Sequence, residues 1–214
     1  NNLNLPINSE CTICVIGLGY VGLPLATEFN KRKKSLLSGK KLSRKIVGFD
    51  LNKQRITELQ SGQDTTMETD HDDLIYLKSI KFTNNPLYLR ECEVFIISVP
   101  TPIDINKIPD LNYLEKATKT VAEIISTKQS KFAPIIIYES TVYPGTTEEI
   151  CVPILEKYSG LRFKVDYDKS NEFNLKKKSD YSFGLSIPAS KFLDINIFRH
   201  RGTDLGIGVS YKAN

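Results

Sequence analysis

Residues Gly17 to Gly22 have the spacing G-x-G-x-x-G of a phosphate-binding turn. They follow a short apolar run at 11–16 and precede a helical pattern at 23–30. In this context the first glycine permits a tight turn, the second lets the backbone approach a pyrophosphate, and the third allows close helix–sheet packing. The N-terminus of the helix adds free N–H groups and a positive dipole end. The motif therefore predicts dinucleotide binding, with an ordinary glycine turn as the alternative.

Asp50 ends a second apolar run, at 45–50. A carboxylate at this place accepts hydrogen bonds from the adenosine ribose hydroxyls and repels a 2′-phosphate, which favours NAD over NADP. Gly22 and Asp50 are 28 residues apart, whereas the usual interval is about 20. An insertion at 31–45 accounts for the excess. The alternative is that Asp50 only caps the next helix.

Polar residues also follow two further apolar, strand-like runs. In an open α/β sheet, ligands bind outside the carboxyl ends of the strands. Thr101, Ser140 and Thr141 stand at such ends, so we expect them to contact cofactor or substrate. Prolines in both segments, Pro100 among them, fix the turns and hold the hydroxyls in place.

The order of the elements predicts the fold. Strand-like runs lie at 11–16, 45–50, 80–83, 94–99 and 134–138, and helical patterns at 23–30, 52–61, 111–126 and 146–158, with a further helix opening at Asp70. Strands that are apolar on both faces and alternate with helices are typical of a parallel sheet covered on both sides. We therefore predict an α/β fold with a Rossmann-type, doubly wound, mostly parallel sheet.

This pattern degrades after Gly160. Residues 1–160 carry 19 basic and 19 acidic side chains, whereas residues 161–214 carry 10 and 6, so the last quarter holds the whole net charge of +4. We predict an NAD-binding Rossmann domain over 1–160 and an irregular basic tail over 161–214. So small a net charge does not indicate a nucleic-acid or membrane partner. No apolar run approaches the roughly 18 to 20 residues of a membrane span.

Two segments concentrate charge. Residues 31–45 contain eight basic residues and no acid, and residues 65–73 are acidic by comparison. We interpret both as solvated loops. Without interleaved aromatic residues the basic segment does not indicate nucleic acid, and an anionic partner for it is the alternative.

The cysteines and histidines form no recognisable metal or catalytic site. Four cysteines in 214 residues are too few for a disulfide scaffold, which favours a reducing cytoplasm. Cys11 and Cys14 form C-x-x-C, but residues three apart on a strand face opposite sides, so no metal is expected there. Cys92 is expected in the core, and His71 and His200 on the surface.

Four segments together resemble the N-terminal domain of the nucleotide-sugar 6-dehydrogenases, the UDP-glucose/GDP-mannose dehydrogenase family. They are 17–26 (GLGYVGLPLA), 99–102 (VPTP), 109–111 (PDL) and 139–149 (ESTVYPGTTEE). They occur in the family's order within residues 11–163. The resemblance is greatest to the bacterial branch that oxidises UDP-N-acetylhexosamines for surface polysaccharides.

The resemblance implies a role for each matching residue. Residues Gly17, Gly19, Tyr20, Val21 and Gly22 would hold the NAD pyrophosphate. Asp50 would bind the adenosine ribose, and Arg55 would lie beside the adenosine. Thr101, Ser140 and Thr141 would contact the nicotinamide side, and Thr141 would also position a catalytic water. Pro100 would be a further cofactor-binding residue.

The family reaction is a four-electron oxidation of the primary alcohol at C6 of a UDP-sugar to a carboxylate, with two NAD. A cysteine thiolate captures the aldehyde, and water then hydrolyses the thioester. That thiol lies in a second half of the family's proteins and is not recognisable here, so this chain alone is expected to bind NAD weakly and not to turn over. Family dimers form through the same half, so a homo-oligomer is expected only with it.

The tail departs from the family's pattern. Where the family has Ser-Pro-Glu-Arg, the nearest match is 183–190, with Ala189 and Ser190 in place of glutamate and arginine. A truncated or frameshifted gene product is one hypothesis, and a fragment is the competing one. A catalytically silent NAD-binding module or interaction remnant is the alternative function. The segments 99–102 and 139–145 argue against an unrelated Rossmann enzyme such as a methyltransferase.

Overall fold

A computed structural model describes residues 4–35, 39–103, 105 and 108–165, and the backbone of three strands at 183–188, 193–200 and 204–211. The larger part of the described protein is built on a five-stranded sheet in the order β3-β2-β1-β4-β5, in which every neighbouring pair of strands is parallel. The strands are β1 (Thr12–Ile16), β2 (Lys45–Phe49), β3 (Lys81–Thr83), β4 (Val94–Ile97) and β5 (Ile135–Tyr138). The predicted doubly wound parallel sheet is confirmed.

Within the described part of the chain, five α-helices connect these strands or follow them. They are α1 (Gly22–Lys31), α2 (Lys53–Gln60), α3 (Leu74–Leu77), α4 (Asn112–Thr127) and α5 (Val152–Ser159). The helix predicted to open at Asp70 is a 3₁₀ turn, His71–Asp73, followed by the single turn of α3. The helix predicted from 146 begins as a π-helix, Thr147–Cys151, and becomes α-helical only in α5. Among the described residues, no helix is both long and apolar enough to span a membrane.

The sheet is buried on both faces, because helices cover each side. One core contains Val15 and Ile96 from the sheet with Leu23 of α1 and Ile56 of α2. The other contains neighbouring strand residues such as Phe95 together with the apolar face of α4. Side chains alternate between the two cores along each strand, which is why the strand runs read as continuously apolar.

The basic insertion is a small antiparallel hairpin between α1 and β2. Lys34 bridges Lys41, and the amide of Leu42 donates to the carbonyl of Lys33 at 2.9 Å. Both bridging lysines are exposed, whereas Leu42 belongs to the buried residues. The hairpin closes on itself, so β2 still pairs with β1 in unbroken register from Lys45 onward.

The region beyond 182 differs from the irregular tail that the sequence predicted. The strands β6 (Phe183–Pro188), β7 (Leu193–His200) and β8 (Asp204–Tyr211) form a separate antiparallel sheet in that order. The sequence of β7 alternates apolar and polar residues from Leu193 to Ile197, and this period of two is the signature of a strand. Ala189 and Ser190 lie outside the described residues.

Candidate functional site

The candidate site lies where β1 and β4 lie side by side. The connections after these strands lead to opposite sides of the sheet, and ligands of open α/β folds bind in the crevice that this reversal creates. The turn after β1 is fixed to both neighbouring strands. The amide of Gly17 donates to the carbonyl of Phe49 at 2.9 Å, and the amide of Ser98 donates to the carbonyl of Ile16 at 2.9 Å.

The three glycines of the turn meet different constraints. Gly17 has a φ of +89°, which side chains rarely allow. A Cβ on Gly22 would lie 1.8 Å from the carbonyl oxygen of Gly17, so the third glycine lets the helix start against the turn itself. A Cβ on Gly19 would meet nothing within 4 Å. The open space at Gly19 is where the backbone can approach a pyrophosphate, so the turn fits a dinucleotide.

The N-terminus of α1 is suited to an anion. Its N-cap residue is Val21, whose apolar side chain cannot accept a hydrogen bond from the first turn, and that turn contains no acidic residue. The amide of Leu23 already donates to the carbonyl of Gly19 at 3.0 Å and Pro24 has no N–H, so among the first-turn amides that of Gly22 is left to donate to a bound phosphate. Tyr20 is exposed beside this turn.

Ser98 holds the turn against β4, and sequence reasoning did not assign it to the site. Its Oγ lies 3.0 Å from the carbonyl oxygens of both Ile16 and Gly17, to either of which it can donate its proton. Its only sequence signal is its place at the end of an apolar strand.

Asp50 contacts the glycine turn directly, and it is not the N-cap of α2. The N-cap is Asn52, whose Oδ1 accepts from the amides of Gln54 and Arg55 at 3.0 and 3.2 Å. Oδ2 of Asp50 accepts from the amide of Leu18 at 2.8 Å, and Oδ1 from the amide of Asn52 at 2.9 Å. Each carboxylate oxygen can accept a second hydrogen bond. The carboxylate can therefore hold the turn and bind a ribose hydroxyl at once.

Arg55 is buried beneath the same turn. Its Nε donates to the carbonyl of Leu18 at 3.2 Å, and one terminal nitrogen donates to Asp64 at 2.7 Å. The other terminal nitrogen is shielded from solvent and has no partner among the described residues. The guanidinium therefore links the turn, at Leu18, to Asp64.

Hydroxyl groups join the loops after β4 and β5. Thr101 donates to the carbonyl of Thr141 at 2.6 Å, and Ser140 donates to the carbonyl of Val99 at 2.7 Å. The structure thus brings together three of the predicted residues, Thr101, Ser140 and Thr141. Thr141 itself is exposed, and Pro100 lies on the surface of the same loop.

Glu139 precedes this pair of hydroxyls, and sequence reasoning did not single it out. Its Oε1 atom is buried and has no hydrogen-bond partner among the described residues. Burial raises the pKa of its carboxyl to about 7. A glutamate that titrates near neutrality at a strand end beside a ligand crevice is typical of functional sites.

The four cysteines are free and buried. Cys11 and Cys14 lie in the cores on opposite faces of the sheet, as predicted from their spacing. Burial raises the pKa of Cys11 to about 11 and also raises the pKa of Cys14 and Cys151. A reactive thiol needs access and a lowered pKa. His71 is exposed as expected, and the side chain of His200 lies outside the described residues.

Comparison with known proteins shows a family match over the part of the chain that contains the residues of the candidate site. Residues 11–178 match the NAD binding domain of the UDP-glucose/GDP-mannose dehydrogenase family. A UDP-N-acetyl-D-glucosamine 6-dehydrogenase of Pseudomonas aeruginosa is 50% identical over 158 residues, which cover 74% of this chain and 34% of that protein. One of Salmonella typhi is 48% identical over 158 residues, 74% of this chain and 33% of that protein.

A solved structure agrees with these matches. The UDP-D-ManNAc dehydrogenase of Pyrococcus horikoshii superposes with a TM-score of 0.57 at 34% identity, over 71% of this chain and 33% of that one. The matched part of this chain thus spans about a third of the length of its relatives.

Proposed function

Because the chain belongs to the UDP-glucose/GDP-mannose dehydrogenase family, we propose that it is the cofactor-binding part of a UDP-sugar 6-dehydrogenase. Its cofactor is NAD, and the substrate of the whole protein is a UDP-N-acetylhexosamine, the class named for its relatives. The observation that carries the proposal is the turn at 17–22, where a Cβ has open space at Gly19 and none at Gly22.

Each part of the site has a place in this proposal. The turn and the N-terminus of α1 bind the pyrophosphate, and Asp50 binds the adenosine ribose. Thr101, Ser140 and Thr141 face the nicotinamide, which accepts hydride from C6 of the sugar when NAD is bound. Thr141, exposed beside this group, orients the water that completes the oxidation.

The state of the cysteines supports a reducing compartment. All four cysteines are free thiols, and none of them is paired. We propose a cytoplasmic protein with a nucleotide-sugar substrate, whose self-association requires the part of the family fold that this chain does not match.

The cofactor assignment is tested by calorimetry with NAD. In Asp50→Ala we expect the affinity to fall at least about tenfold, because hydrogen bonds to a charged group contribute roughly 1.5 to 3 kcal/mol. Asp72→Ala, at an exposed acid outside the site, is the matched control and should bind like the parent chain. If the folded parent chain does not bind NAD, the proposal is wrong.

A hybrid protein separates the enzyme from a silent NAD-binding module. Residues 1–160 would replace the matching part of the Pseudomonas aeruginosa relative, and NADH formation from UDP-N-acetyl-D-glucosamine would be followed. We expect the hybrid to turn over, and the 214-residue chain alone not to, because its four thiols are buried. A hybrid that binds NAD without forming NADH would favour the silent module.

A further inference from the structure

We propose that Asp64, outside every recognised motif, is a positioning residue for NAD, because it holds Arg55 against the phosphate-binding turn. The proposal rests on the cofactor site described above and deepens it. Asp64 directly precedes the acidic segment 65–73, which the sequence presents as a solvated loop.

Both backbone polar groups of Leu18, its amide and its carbonyl, are hydrogen-bonded to side chains. The amide donates to Asp50 at 2.8 Å, and the carbonyl accepts from Nε of Arg55 at 3.2 Å. The side chain of Leu18 is buried, so it cannot swing outward without exposing apolar surface. Leu18 stands between Gly17 and Gly19, whose backbones would otherwise be the most flexible of the turn.

Asp64 fixes Arg55 in turn. Its side chain is only 1% exposed, and Oδ1 accepts from Arg55 at 2.7 Å. Oδ1 also accepts from the hydroxyl of Thr66 at 3.0 Å, and Oδ2 from the amide of Thr69 at 2.8 Å. Burial by itself would raise the pKa of Asp64, but the hydrogen bonds from Arg55, Thr69 and Thr66 hold it below its ordinary value. The carboxylate is therefore charged, and each of its oxygens has a hydrogen-bond donor.

Glu58 does not replace Asp64 in this role. Its nearest carboxylate oxygen lies 3.9 Å from the same nitrogen of Arg55, beyond hydrogen-bond distance. The order of contacts is thus Asp64 to Arg55 to Leu18. A turn held in its binding conformation before the ligand arrives does not have to be ordered during binding, so it binds more tightly.

Asp64→Asn tests this arrangement in the full chain, because asparagine keeps the size of the side chain and removes its charge. We expect the Kd for NAD to rise about tenfold, as for loss of a charged hydrogen bond. Asp73→Asn is the matched control, since Asp73 lies in the neighbouring acidic segment and its substitution breaks a surface ion pair with Lys31. Surface pairs contribute little, so this control should keep the parent Kd.

Two further readouts separate positioning from general destabilisation. The Leu18 amide should exchange its hydrogen about tenfold faster in Asp64→Asn, while the amide of buried Ile96 keeps its rate. In addition, the double variant Arg55→Met/Asp64→Asn should bind NAD no more weakly than Arg55→Met alone, because Asp64 acts through Arg55.

An unchanged Kd in folded Asp64→Asn would overturn the proposal, and so would equal acceleration of exchange at Ile96 and Leu18. If Asp64→Asn does not fold, Thr66→Ala removes one bond to the same carboxylate and should raise the Kd about two- to threefold. The exchange measurement needs no NAD. A failure of the parent chain to bind NAD would therefore refute the proposed function while the positioning of Leu18 was still being measured.

Discussion

Glu139 carries a buried carboxylate beside the exposed end of the crevice. Its Oε1 atom is buried and has no hydrogen-bond partner among the described residues. The carboxyl has a pKa of about 7, raised by burial from an ordinary value of 4.5. The folded state therefore binds a proton between these pH values that the unfolded chain releases.

The sign of the resulting pH dependence is fixed. The contribution of Glu139 to stability falls as the pH rises from about 4.5 to about 7. Glu139→Gln removes the charged form, so its free energy of unfolding should exceed that of the parent by about 1 to 2 kcal/mol at pH 8, a value discounted for partial exposure. The gain should shrink as the pH approaches 5.

Urea unfolding of both proteins from pH 5 to pH 8 measures this difference. Glu148→Gln, at an exposed glutamate in the π-helix, is the control and should follow the parent at every pH. If the free-energy difference between Glu139→Gln and the parent did not grow from pH 5 to pH 8, the carboxylate of Glu139 would be solvated.

The sequence predicts the site residues that belong to a motif. It does not predict those that support the turn through contacts with distant segments. Gly17 to Gly22 and Asp50 are recognisable because their spacing reflects a local requirement of backbone geometry. Ser98 acts on the turn from 81 residues away. Asp64 acts through Arg55, and neither residue type nor spacing distinguishes it from its acidic neighbours. Such roles depend on which distant segments the fold brings into contact, and a local sequence pattern does not predict those contacts.

At the scale of elements, the basic hairpin is separate from the cofactor site. It enters β2 at the amino end of the strand, whereas Asp50 follows the carboxyl end. The contact between Asp50 and Leu18 is set by the register of β1 on β2, so the 28-residue interval from Gly22 to Asp50 leaves the site unchanged.

Replacing residues 34–41 with Asn-Gly tests this separation, because that pair forms a tight hairpin turn. We expect the Kd for NAD to stay within about twofold and the free energy of unfolding within about 0.5 kcal/mol, as for most surface changes. Calorimetry and urea unfolding measure the two quantities. A tenfold loss of affinity in the shortened, folded protein would show that the hairpin supports the site.

The elements differ in how far the sequence determines them. Strands buried on both faces and the long amphipathic α4 follow from apolar pattern and length. The 3₁₀ helix Pro86–Glu91 does not, because it depends on Asn85, whose side chain accepts from the amide of Leu87 at 3.0 Å. The strands beyond 182 were obscured by the high polarity of the region around them, although β7 has a strand's alternation.

At the scale of the whole molecule, we propose a domain boundary near 160. Helix α5 ends at Ser159 and is capped by Gly160, whose φ of +72° is usual for the residue that follows a helix. Both cores are built from residues between Cys11 and Leu155, and every residue assigned to the site lies between Gly17 and Thr141. Every residue assigned to the site therefore precedes the proposed boundary.

A chain ending at residue 165 should fold and bind NAD with the Kd of the parent, within about twofold. Its thermal midpoint should rise with NAD, because a ligand present at about 100 times its Kd stabilises the folded state by about 2.7 kcal/mol. Differential scanning calorimetry with and without NAD measures the shift. Loss of binding in a folded, shortened chain would place part of the site beyond the boundary.

Because all four cysteines are buried, their reaction with a thiol reagent can report when helices separate from the sheet. Cys11 lies in the core beneath α1, and Cys14, Cys92 and Cys151 lie in the core beneath α4. A thiol reagent can reach them only when one face of the sheet separates from its helices, so the rate at which each is alkylated reports the opening of one particular face. If NAD slows alkylation of Cys11 more than that of the other three, the cofactor tightens the side of the sheet that carries the phosphate-binding helix.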